Sequence, residues 1–564
     1  MKMTVSQAMV ECLKAENVKV VFGYPGAAIC PFYDALLDAE NDIRQVLVRQ
    51  EANGGHAANG YARISGKPAV CIATSGPGAT NLITAIATAY ADSIPIVCIT
   101  GQVNTDQIGS DVFQEADITG SAEPFVKHSY LLKNPEDTAR VFKEAFYIAR
   151  TGRPGPVLID LPKDVMAELG SAEYPKTVNI RGYKPNTSVH IGQLKRALKM
   201  LQKAKKPLFL AGGGVIISRA QEIFTQVVEK TQIPVVTTVM GRGAISTKNP
   251  LFIGNLGMHG AYAANMAVNE CDLLFSIGTR FNDRITGKLH EFAPHAQIVH
   301  IDIDTASISR NIHVDIPIVA DAKEAITKMN EYVQDCNTGK WLKQIQEWKE
   351  EHPLTMKDRG IMGPLDIIGE INRQFDKAIL VTDVGQHQML VSQYADITEN
   401  RQLIMSGGLG TMGYGLPGAI GAKIGNPDTP VISVSGDGGM QMNIQELATA
   451  VLEELPIICC IFNNEYLGMV RQWQTLFYKE HYSATVLDDG VDYVKIAEAM
   501  GATARRVTTQ EEFVAAFKEA LACKTPFVID AIIDSDDKVW PMVAPGAPIN
   551  EAFDEKDLEA KNAE

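Results

Sequence analysis

Two oxygen-bearing side chains follow two apolar stretches in the last third of the chain. Asp437 stands in Ser435-Gly436-Asp437-Gly438, directly after the apolar residues 431–434, and Asn464 comes 27 residues later, directly after residues 457–463. Both stretches predict buried parallel strands, whose carboxyl ends meet at one edge of a sheet. A carboxylate and an amide oxygen beside a helix N-terminus suit Mg²⁺ bound together with a phosphate-bearing ligand. Either residue alone is equally consistent with a cap or a turn, but the pair at matched strand ends favours a metal site.

The layout around Asp437 occurs twice in the chain. Residues 68–101 (the first repeat) and 429–464 (the second repeat) each contain an apolar strand, a Ser-Gly-x-Gly turn, an alanine-rich helix, a proline and a second strand. The serine and the proline are 20 residues apart in the first repeat and 21 in the second. Each repeat is followed by a further proline and buried strand that reaches an aspartate, in residues 153–162 and 524–533. We therefore predict two related α/β domains, of which only the second carries a metal ligand in its turn.

A third α/β pattern lies between the repeats. It begins with an apolar strand at residues 207–211 and a turn at Gly212 to Gly214, and continues through strands near residues 235, 273, 299 and 318. Residues 167–189 and 332–364 lose the apolar alternation and are interpreted as linkers. Apolar strands that alternate with helices predict doubly wound parallel sheets. We expect an α/β protein with three such domains, at residues 1–180, 190–335 and 364–564, the last ending in an aperiodic arm that is free to move.

Length and composition favour an enzyme that acts on small molecules. The 564 residues, 46% of them hydrophobic and 21% charged, suit about three globular domains. A net charge of −15 disfavours binding to nucleic acid or to an anionic membrane. The nine cysteines are odd in number and form no C-x-x-C pair, which indicates buried thiols in a reducing compartment. No apolar stretch approaches the roughly 20 residues of a membrane helix, and no signal peptide is recognised, so we expect the protein to be cytoplasmic.

The chemistry-bearing motifs resemble those of thiamin diphosphate-dependent enzymes. The resemblance rests on Gly436-Asp437-Gly438 followed by Asn463-Asn464, and on Glu51 within residues 49–63. In that family the matching glutamate bonds the pyrimidine ring of the cofactor and promotes the imino form that takes the thiazolium proton. One buried carboxylate is enough for this, because the cofactor carries its own base. The resemblance implies thiamin diphosphate and Mg²⁺ as cofactors, with the metal held at Asp437, Asn464 and Tyr466.

Longer segments narrow the resemblance to the catalytic subunit of acetohydroxyacid synthases. They are residues 257–260, 278–288, 300–304, 410–415 and 468–474. The resemblance implies that pyruvate is decarboxylated and its two-carbon unit is joined to a second pyruvate or to 2-ketobutyrate, the first common step of valine, leucine and isoleucine synthesis. It further implies FAD without a redox role, a homodimer or tetramer, and a small regulatory subunit. In this family the N-terminal domain of one subunit faces the C-terminal domain of another, so Glu51 would meet Asp437 across a dimer interface.

The resemblance also implies roles for single residues. Phe113 and Gln114 would contact the first ketoacid, Lys163 would line its approach, Arg284 would pair with the carboxylate of the second, and Trp473 would favour the larger acceptor. Thiamin diphosphate would contact Gly410, Met412, Gly436, Gly438 and Met469. FAD would contact Arg153, Gly212, Gly213, Met258, Gly278, Arg280, Asp302 and Asp321.

Some features leave alternatives open. The family usually has Gln-Gly-Ala-Ala where this chain has residues 52–55 after Glu51, and a glycine where it has Ala27. On helical spacing alone Trp473 fits a core position better than a pocket. A flavin-dependent pyruvate oxidase on the same three domains is a second hypothesis, disfavoured by residues 280–288 and Trp473. A non-catalytic nucleotide-binding scaffold is a third, disfavoured by the presence of Glu51, Asp437 and Asn464.

Overall fold

A computed structural model describes residues 2–375, 377–488 and 490–558. Among these residues there are three sheets of six parallel strands each, covered by helices, and one small antiparallel pair. The predicted α/β class with three parallel-sheet domains is therefore confirmed.

The N-terminal domain contains the first repeat. Its strands are β1 (Lys2–Thr4), β2 (Val20–Gly23), β3 (Arg44–Leu47), β4 (Ala69–Ala73), β5 (Ile96–Gln102), β6 (His128–Leu131), β7 (Val157–Pro162) and β8 (Leu169–Ser171). Its helices are α1 (Val5–Ala15), α2 (Cys30–Leu37), α3 (Glu51–Ser65), α4 (Pro77–Asn81), α5 (Ile83–Asp92), α6 (Ile118–Ala122), α7 (Thr138–Arg150) and α8 (Lys163–Ala167). The sheet order is β3-β2-β4-β5-β7-β6, and β1 pairs with β8. Strands β4 and β5 are buried along their whole length because helices cover both faces of the sheet.

The middle domain follows. Its strands are β9 (Pro207–Ala211), β10 (Val235–Thr237), β11 (Phe252–Asn255), β12 (Leu273–Ile277), β13 (Gln297–Asp302) and β14 (Ile316–Val319). Its helices are α9 (Ile191–Leu201), α10 (Gly213–Ile217), α11 (Gln221–Thr231), α12 (Tyr262–Glu270), α13 (Asp283–Thr286), α14 (Ala322–Tyr332) and α15 (Gly339–Glu351). The order β11-β10-β9-β12-β13-β14 reverses beside β9, as in dinucleotide-binding folds.

The C-terminal domain contains the second repeat. Its strands are β15 (Ile379–Thr382), β16 (Leu403–Met405), β17 (Val431–Gly436), β18 (Ile457–Asn463), β19 (Thr503–Val507) and β20 (Phe527–Ile532). Its helices are α16 (Pro364–Gln374), α17 (Gln386–Tyr394), α18 (Gly415–Gly425), α19 (Asp437–Asn443), α20 (Glu446–Leu452), α21 (Gly468–Phe477), α22 (Tyr493–Ala499) and α23 (Gln510–Ala522). Its order, β16-β15-β17-β18-β20-β19, is that of the N-terminal sheet when strands are counted along the chain from β2 and from β15. The predicted relation between the two repeats is confirmed.

Two segments outside the predicted pattern of alternating strands and helices pack as ordered structure. Residues 339–351, interpreted as part of a linker, form α15, whose Trp341 is buried against the middle domain and donates a hydrogen bond to the carbonyl of Pro207 (3.1 Å). The C-terminal arm is packed, not free, at least as far as Phe553, whose backbone pairs with that of Met542. Its N–H groups and carbonyls reach the middle domain, where Val543 donates to Met258 (2.8 Å). The arm is stabilised by single buried residues in turns. Because these residues are not regularly spaced, the sequence of the arm shows no periodic pattern.

Helices α3 and α18 join the N-terminal and C-terminal domains at close range. A Cβ atom on Gly60 would collide with the carbonyl of Gly418, and one on Gly421 would collide with the carbonyl of Ala57. Glycine is therefore required for the two backbones to touch. The flanking side chains form one hydrophobic cluster that spans both domains.

Candidate active site

Asp437 and Asn464 lie where the sequence predicts, at one edge of the C-terminal sheet. Strands β17 and β18 pair in parallel with Gly436 opposite Phe462, so the residues that follow them leave the sheet side by side. Both line the same cavity, as does Tyr466. Asp437 accepts a hydrogen bond at Oδ1 from the N–H of Gly438 (2.9 Å), and Asn464 accepts one at Oδ1 from the N–H of Tyr466 (3.2 Å).

The donor set at Asp437 fits a hard divalent cation. Its Oδ2 atom is buried and has no hydrogen-bond partner among the described residues. Burial raises the pKa of this carboxyl to about 6, and nearby backbone N–H groups offset part of the rise. A buried carboxylate oxygen without a partner costs free energy that a bound cation would offset. Across residues 2–375, 377–488 and 490–558, no group of three or more His, Cys, Asp or Glu side chains could hold a metal ion. A cation at Asp437 would therefore need further oxygen ligands, such as those of a bound diphosphate.

Two buried carboxylates fix the loop that carries Gly410 and Met412. Asp92, from the N-terminal domain, accepts a hydrogen bond from the N–H of Gly408 (2.6 Å). Asp383 accepts hydrogen bonds from the N–H groups of Gly413 (3.0 Å) and Gly415 (2.8 Å), and burial raises its pKa. The loop is thereby held at both ends, and Gly410 and Met412 between them line the cavity. Gly436, Gly438 and Met469 line it too.

The sequence analysis did not identify the N-terminus of α17 as part of this site. Val384, Gly385, Gln386 and His387 all line the cavity. A Cβ atom on Gly436 would lie 3.3 Å from the His387 ring, so this helix starts beside the Asp437 turn. Burial lowers the pKa of His387 to about 4, which keeps the ring neutral near pH 7. The available signal was the apolar stretch 379–382 followed by Asp-Val-Gly, another strand that ends at a helix N-terminus suited to an anion.

The cavity continues from the metal ligands to the middle domain and has a volume of about 1740 Å³. Most residues predicted to contact FAD line its far end: Arg153, Gly213, Met258, Gly278, Arg280, Asp302 and Asp321. Gly212 lies beneath the lining, where its N–H donates to the carbonyl of Ile277 (2.9 Å). Burial lowers the pKa of Arg280, and no ion pair of its side chain is found in the described part of the chain. A partly buried, unpaired cation at the end of a cavity fits the phosphates of a nucleotide.

Arg284 and Trp473 line the same cavity. The exposed Arg284 donates from Nη1 to the sulfur of Met258 (3.6 Å). Trp473 is half-buried, lines the cavity and packs edge to face on Phe477, with ring centroids 5.6 Å apart. The buried side of α21 is occupied by Gln472, which exchanges hydrogen bonds with the backbone of Val539. Trp473 is therefore a cavity residue, and the core position that its spacing favours is wrong.

The N-terminal residues predicted to be catalytic do not line this cavity. Glu51 begins α3, is half-buried, and accepts a hydrogen bond at Oε2 from the side chain of Asn81 (3.0 Å). Phe113 is 88% exposed, and Lys163 is exposed at the start of α8. One chain thus presents two separate groups of predicted site residues, one in the cavity and one on the N-terminal domain.

Glu51 and Gln114 both lie close to the turn of the first repeat, each beside a different glycine. Gly76 has φ 60°, and a Cβ atom on it would lie 2.9 Å from the Cα of Gln114. A Cβ atom on Gly78 would lie 3.3 Å from Oε1 of Glu51. The turn of the first repeat is therefore occupied by protein groups on both sides.

Comparison with protein families identifies all three domains. The descriptions of thiamine pyrophosphate enzymes match in order: the N-terminal TPP-binding domain over residues 3–121, the central domain over residues 194–329 and the C-terminal TPP-binding domain over residues 383–531. Thiamine pyrophosphate is another name for thiamin diphosphate. The fold and the site thus define a thiamin diphosphate-dependent enzyme.

Curated relatives extend over nearly the whole chain. A probable acetolactate synthase large subunit of Methanocaldococcus jannaschii is 46% identical over 558 residues, covering 96% of this chain and 93% of that protein. The acetolactate synthase large subunit of Cyanidium caldarium is 45% identical, covering 96% and 94%. The acetolactate synthase of Mycobacterium bovis is 45% identical, covering 98% and 91%. The chain belongs to the acetolactate synthase large-subunit family, also called acetohydroxyacid synthase, as its motifs predicted.

Proposed function

We propose that the protein catalyses the acetolactate synthase reaction. It takes pyruvate, releases carbon dioxide, and joins the remaining two-carbon unit to a second pyruvate or to 2-ketobutyrate. The observation that carries this proposal is the Oδ2 atom of Asp437, which has no hydrogen-bond partner in the described part of the chain and lies in a cavity that Asn464 and Met412 also line. That cavity belongs to a chain 46% identical to an acetolactate synthase large subunit.

The residues of the C-terminal domain would hold Mg²⁺ and thiamin diphosphate. When bound, this cofactor supplies the nucleophilic carbon and the electron sink for decarboxylation. Asp437, Asn464 and Tyr466 would hold the metal between themselves and the diphosphate. Gly410 and Met412 would fix the orientation of the pyrimidine ring, and Glu51 would exchange a proton with its ring nitrogen.

FAD would occupy the other end of the cavity. Arg280 and Arg153 would face its phosphates, since both are cations on the cavity wall. The carboxylates of Asp302 and Asp321 already accept hydrogen bonds from the backbone N–H groups of Asp304 and Glu324, which fixes their positions. We propose that FAD has a structural role and takes no electrons in the reaction.

The complete active site would contain residues from two copies of the chain. Glu51, Phe113, Gln114 and Lys163 lie outside the cavity of their own chain. In a homodimer, or a tetramer built from such dimers, they would face the Asp437 cavity of the second copy. Phe113, at 88% exposure, has the surface such a contact would cover.

Substrate choice would depend on Trp473 and Arg284. Arg284 would pair with the carboxylate of the second ketoacid, and Trp473 would contact its side chain. The extra methylene of 2-ketobutyrate contributes roughly 1 kcal/mol when buried, so we expect it to be preferred over pyruvate by several-fold to about tenfold. The ratio of the two products from mixed acceptors measures this preference.

The relatives named large subunits imply a smaller partner, and we propose a regulatory subunit for this chain as well. We propose a cytoplasmic location, because the nine cysteines are free thiols, which suits a reducing compartment. Within its described residues, no helix has both the length and the apolar character needed to cross a bilayer.

One assay tests the proposed function. Acetolactate formed from pyruvate is measured in the purified protein with thiamin diphosphate, Mg²⁺ and FAD each omitted in turn. We expect each omission to reduce the rate. Oxygen uptake and flavin bleaching on addition of pyruvate, without acetolactate, would instead identify a pyruvate oxidase.

A further inference from the structure

The loop between β5 and α6, residues 103–117, carries two residues of the proposed substrate site. It contains no helix or strand, and Phe113 near its end is 88% exposed. Gln114 has φ 60°, which is uncommon for a residue with a side chain. An exposed loop holds one such shape only if its backbone is tied down by specific contacts.

Glu115 folds back onto this loop. Its Oε1 accepts a hydrogen bond from the N–H of Gly109, and its Oε2 accepts one from the N–H of Val112 (3.3 Å). These backbone N–H groups, Gly109 first among them, hold the pKa of Glu115 below its ordinary value. The carboxylate closes residues 109–115 into a compact turn, with Phe113 and Gln114 between Val112 and Glu115.

Both ends of the loop are fixed as well. Asp164 accepts hydrogen bonds from the N–H (3.0 Å) and the hydroxyl (2.5 Å) of Thr105, which places the start of the loop beside Lys163. At the other end, Gln102 donates from Nε2 to the carbonyl of Ala116 (2.8 Å). Between these ends the backbone N–H of Glu115 also donates to the carbonyl of Val112 (3.1 Å), and the Glu115 side chain adds the link to Gly109.

The middle of the loop packs against the rest of the site. Gln114 packs closely on Gly76, since a Cβ atom added to Gly76 would lie 2.9 Å from the Cα of Gln114. The same turn contacts Glu51 through Gly78. A change in the loop would therefore move Gln114 relative to Glu51.

We propose that Glu115 is a positioning residue for the first ketoacid. By binding the N–H groups of Gly109 and Val112, it fixes the backbone that presents Phe113 and Gln114. The inference rests on the proposed function, because it requires these two residues to contact substrate. Glu115 acts through them and does not itself touch the reacting atoms.

The variant Glu115→Gln tests this role in the full-length enzyme with thiamin diphosphate, Mg²⁺ and FAD. The amide has the same shape but directs an NH₂ group at one of the two backbone N–H groups. Because a small misplacement of a substrate contact costs up to about 100-fold, we expect kcat/KM for pyruvate to fall about tenfold to 100-fold. Half-saturation by thiamin diphosphate should stay within about twofold of wild type, since the cofactor residues do not contact Glu115. Amide hydrogen exchange in residues 103–117 should become faster.

Asp106 provides the matched control, because it carries the same charge in the same loop. It is exposed, and no hydrogen bond of its side chain is found in the described part of the chain. Asp106→Asn should leave both kcat/KM and hydrogen exchange unchanged. Wild-type kinetics and exchange in Glu115→Gln, or an equal loss in Asp106→Asn, would overturn the proposal. A wild-type protein that makes no acetolactate would instead overturn the proposed function, and hydrogen exchange would still decide whether Glu115 holds the loop.

Discussion

The turns of the two repeats occupy the same place in the same sheet topology, but their surroundings differ. In the second repeat, Asp437 is the first residue of α19 and lines a cavity, and one of its carboxylate oxygens has no hydrogen-bond partner among the described residues. In the first repeat the matching residue is Pro77, and the turn is covered by Gln114 on one side and by Glu51 on the other. The turn of the second repeat is thus open to a ligand, whereas the turn of the first repeat packs against Glu51 and Gln114, two residues of the proposed catalytic group.

The strands that follow each repeat share a second feature. Asp160 on β7 accepts a hydrogen bond from Gln102, the last residue of β5 (3.0 Å), and Asp530 on β20 accepts one from Asn463, the last residue of β18 (2.8 Å). Each partner then fixes the next loop, because Gln102 binds the carbonyl of Ala116 and Asn463 accepts from the N–H of Glu465. The same arrangement of hydrogen bonds shapes the proposed substrate loop in one domain and the loop of the proposed metal ligands in the other. Asp530 differs in that it also pairs with Arg506 (2.8 Å).

The largest effect is expected for Glu51→Gln, which removes the acid that the first repeat supports. Thiamin diphosphate should still bind, because the proposed metal ligands Asp437, Asn464 and Tyr466 lie in the C-terminal domain. Exchange of the cofactor's C2 proton should slow by about 100-fold or more, the usual contribution of a positioned acid or base. NMR of quenched exchange reactions measures it. Exchange at the wild-type rate would make Glu51 a structural residue and remove the chemical role of the first repeat.

Asp437→Ala should have the next largest effect. It removes the charged ligand of the proposed metal site, so the affinity for thiamin diphosphate in Mg²⁺ buffer should fall about 100-fold, or roughly 2.7 kcal/mol. Titration with the cofactor, followed by fluorescence, measures this affinity. Asp428→Ala, in an exposed position before β17, is the control and should change nothing. Unchanged affinity in Asp437→Ala would mean that the two turns do not differ in metal binding.

Asp530→Asn should weaken the metal site indirectly. The new amide presents an NH₂ group to either Asn463 or Arg506, both of which are donors to this side chain. Residues that support metal ligands typically contribute about tenfold to 100-fold in metal affinity, and we expect the lower end because Asn464 itself is retained. The Mg²⁺ concentration for half-maximal cofactor binding measures it. The counterpart variant Asp160→Asn should leave that concentration unchanged, and an equal rise in both would refute separate roles for the two aspartates.

The smallest expected effect is a pH dependence of stability from Asp160. Burial raises its pKa to about 7, so folding disfavours the ionised carboxyl. Its contribution to stability should therefore decline as the pH rises from about 4 through 7. Asp160→Asn removes this decline. Between pH 5.5 and pH 8 the wild type should lose a few degrees more of thermal midpoint than the variant, at about 2–4 °C per kcal/mol. Parallel midpoints in scanning calorimetry would show that Asp160 does not titrate in this range.

The strongest predictions from the sequence concern local units. A strand, a glycine turn and a helix can be recognised within about 35 residues, and parallel pairing then brings Asp437 and Asn464 to one edge. The same reasoning missed Gln386 and His387, because the strand before them is short and its turn lacks the Ser-Gly-x-Gly signature. It also missed Asp383, whose role depends on N–H groups 30 and 32 residues away in the chain.

Contacts between segments that are distant in the chain account for the remaining differences between the predicted and the observed structure. Spacing alone favours a core position for Trp473, and only the packing of Gln472 against Val539 shows that Trp473 is on the cavity side of α21. The arm after Val539 is aperiodic because its buried residues pack against different partners: Met542 contacts Gln472 of the C-terminal domain, whereas Ile549 joins the hydrophobic cluster of the middle domain. Neither arrangement has a local pattern from which it could be predicted.

The backbone contact between α3 and α18 restricts how the molecule can move. Helices that touch through glycine cannot slide along each other, because a neighbouring Cβ atom or carbonyl would collide with the opposite helix. The hydrophobic cluster that the two domains share resists their separation. The N-terminal and C-terminal domains of one chain are therefore expected to move together. In the proposed dimer, admission of a ketoacid and release of its larger product would then depend on a breathing motion between the two copies of the chain.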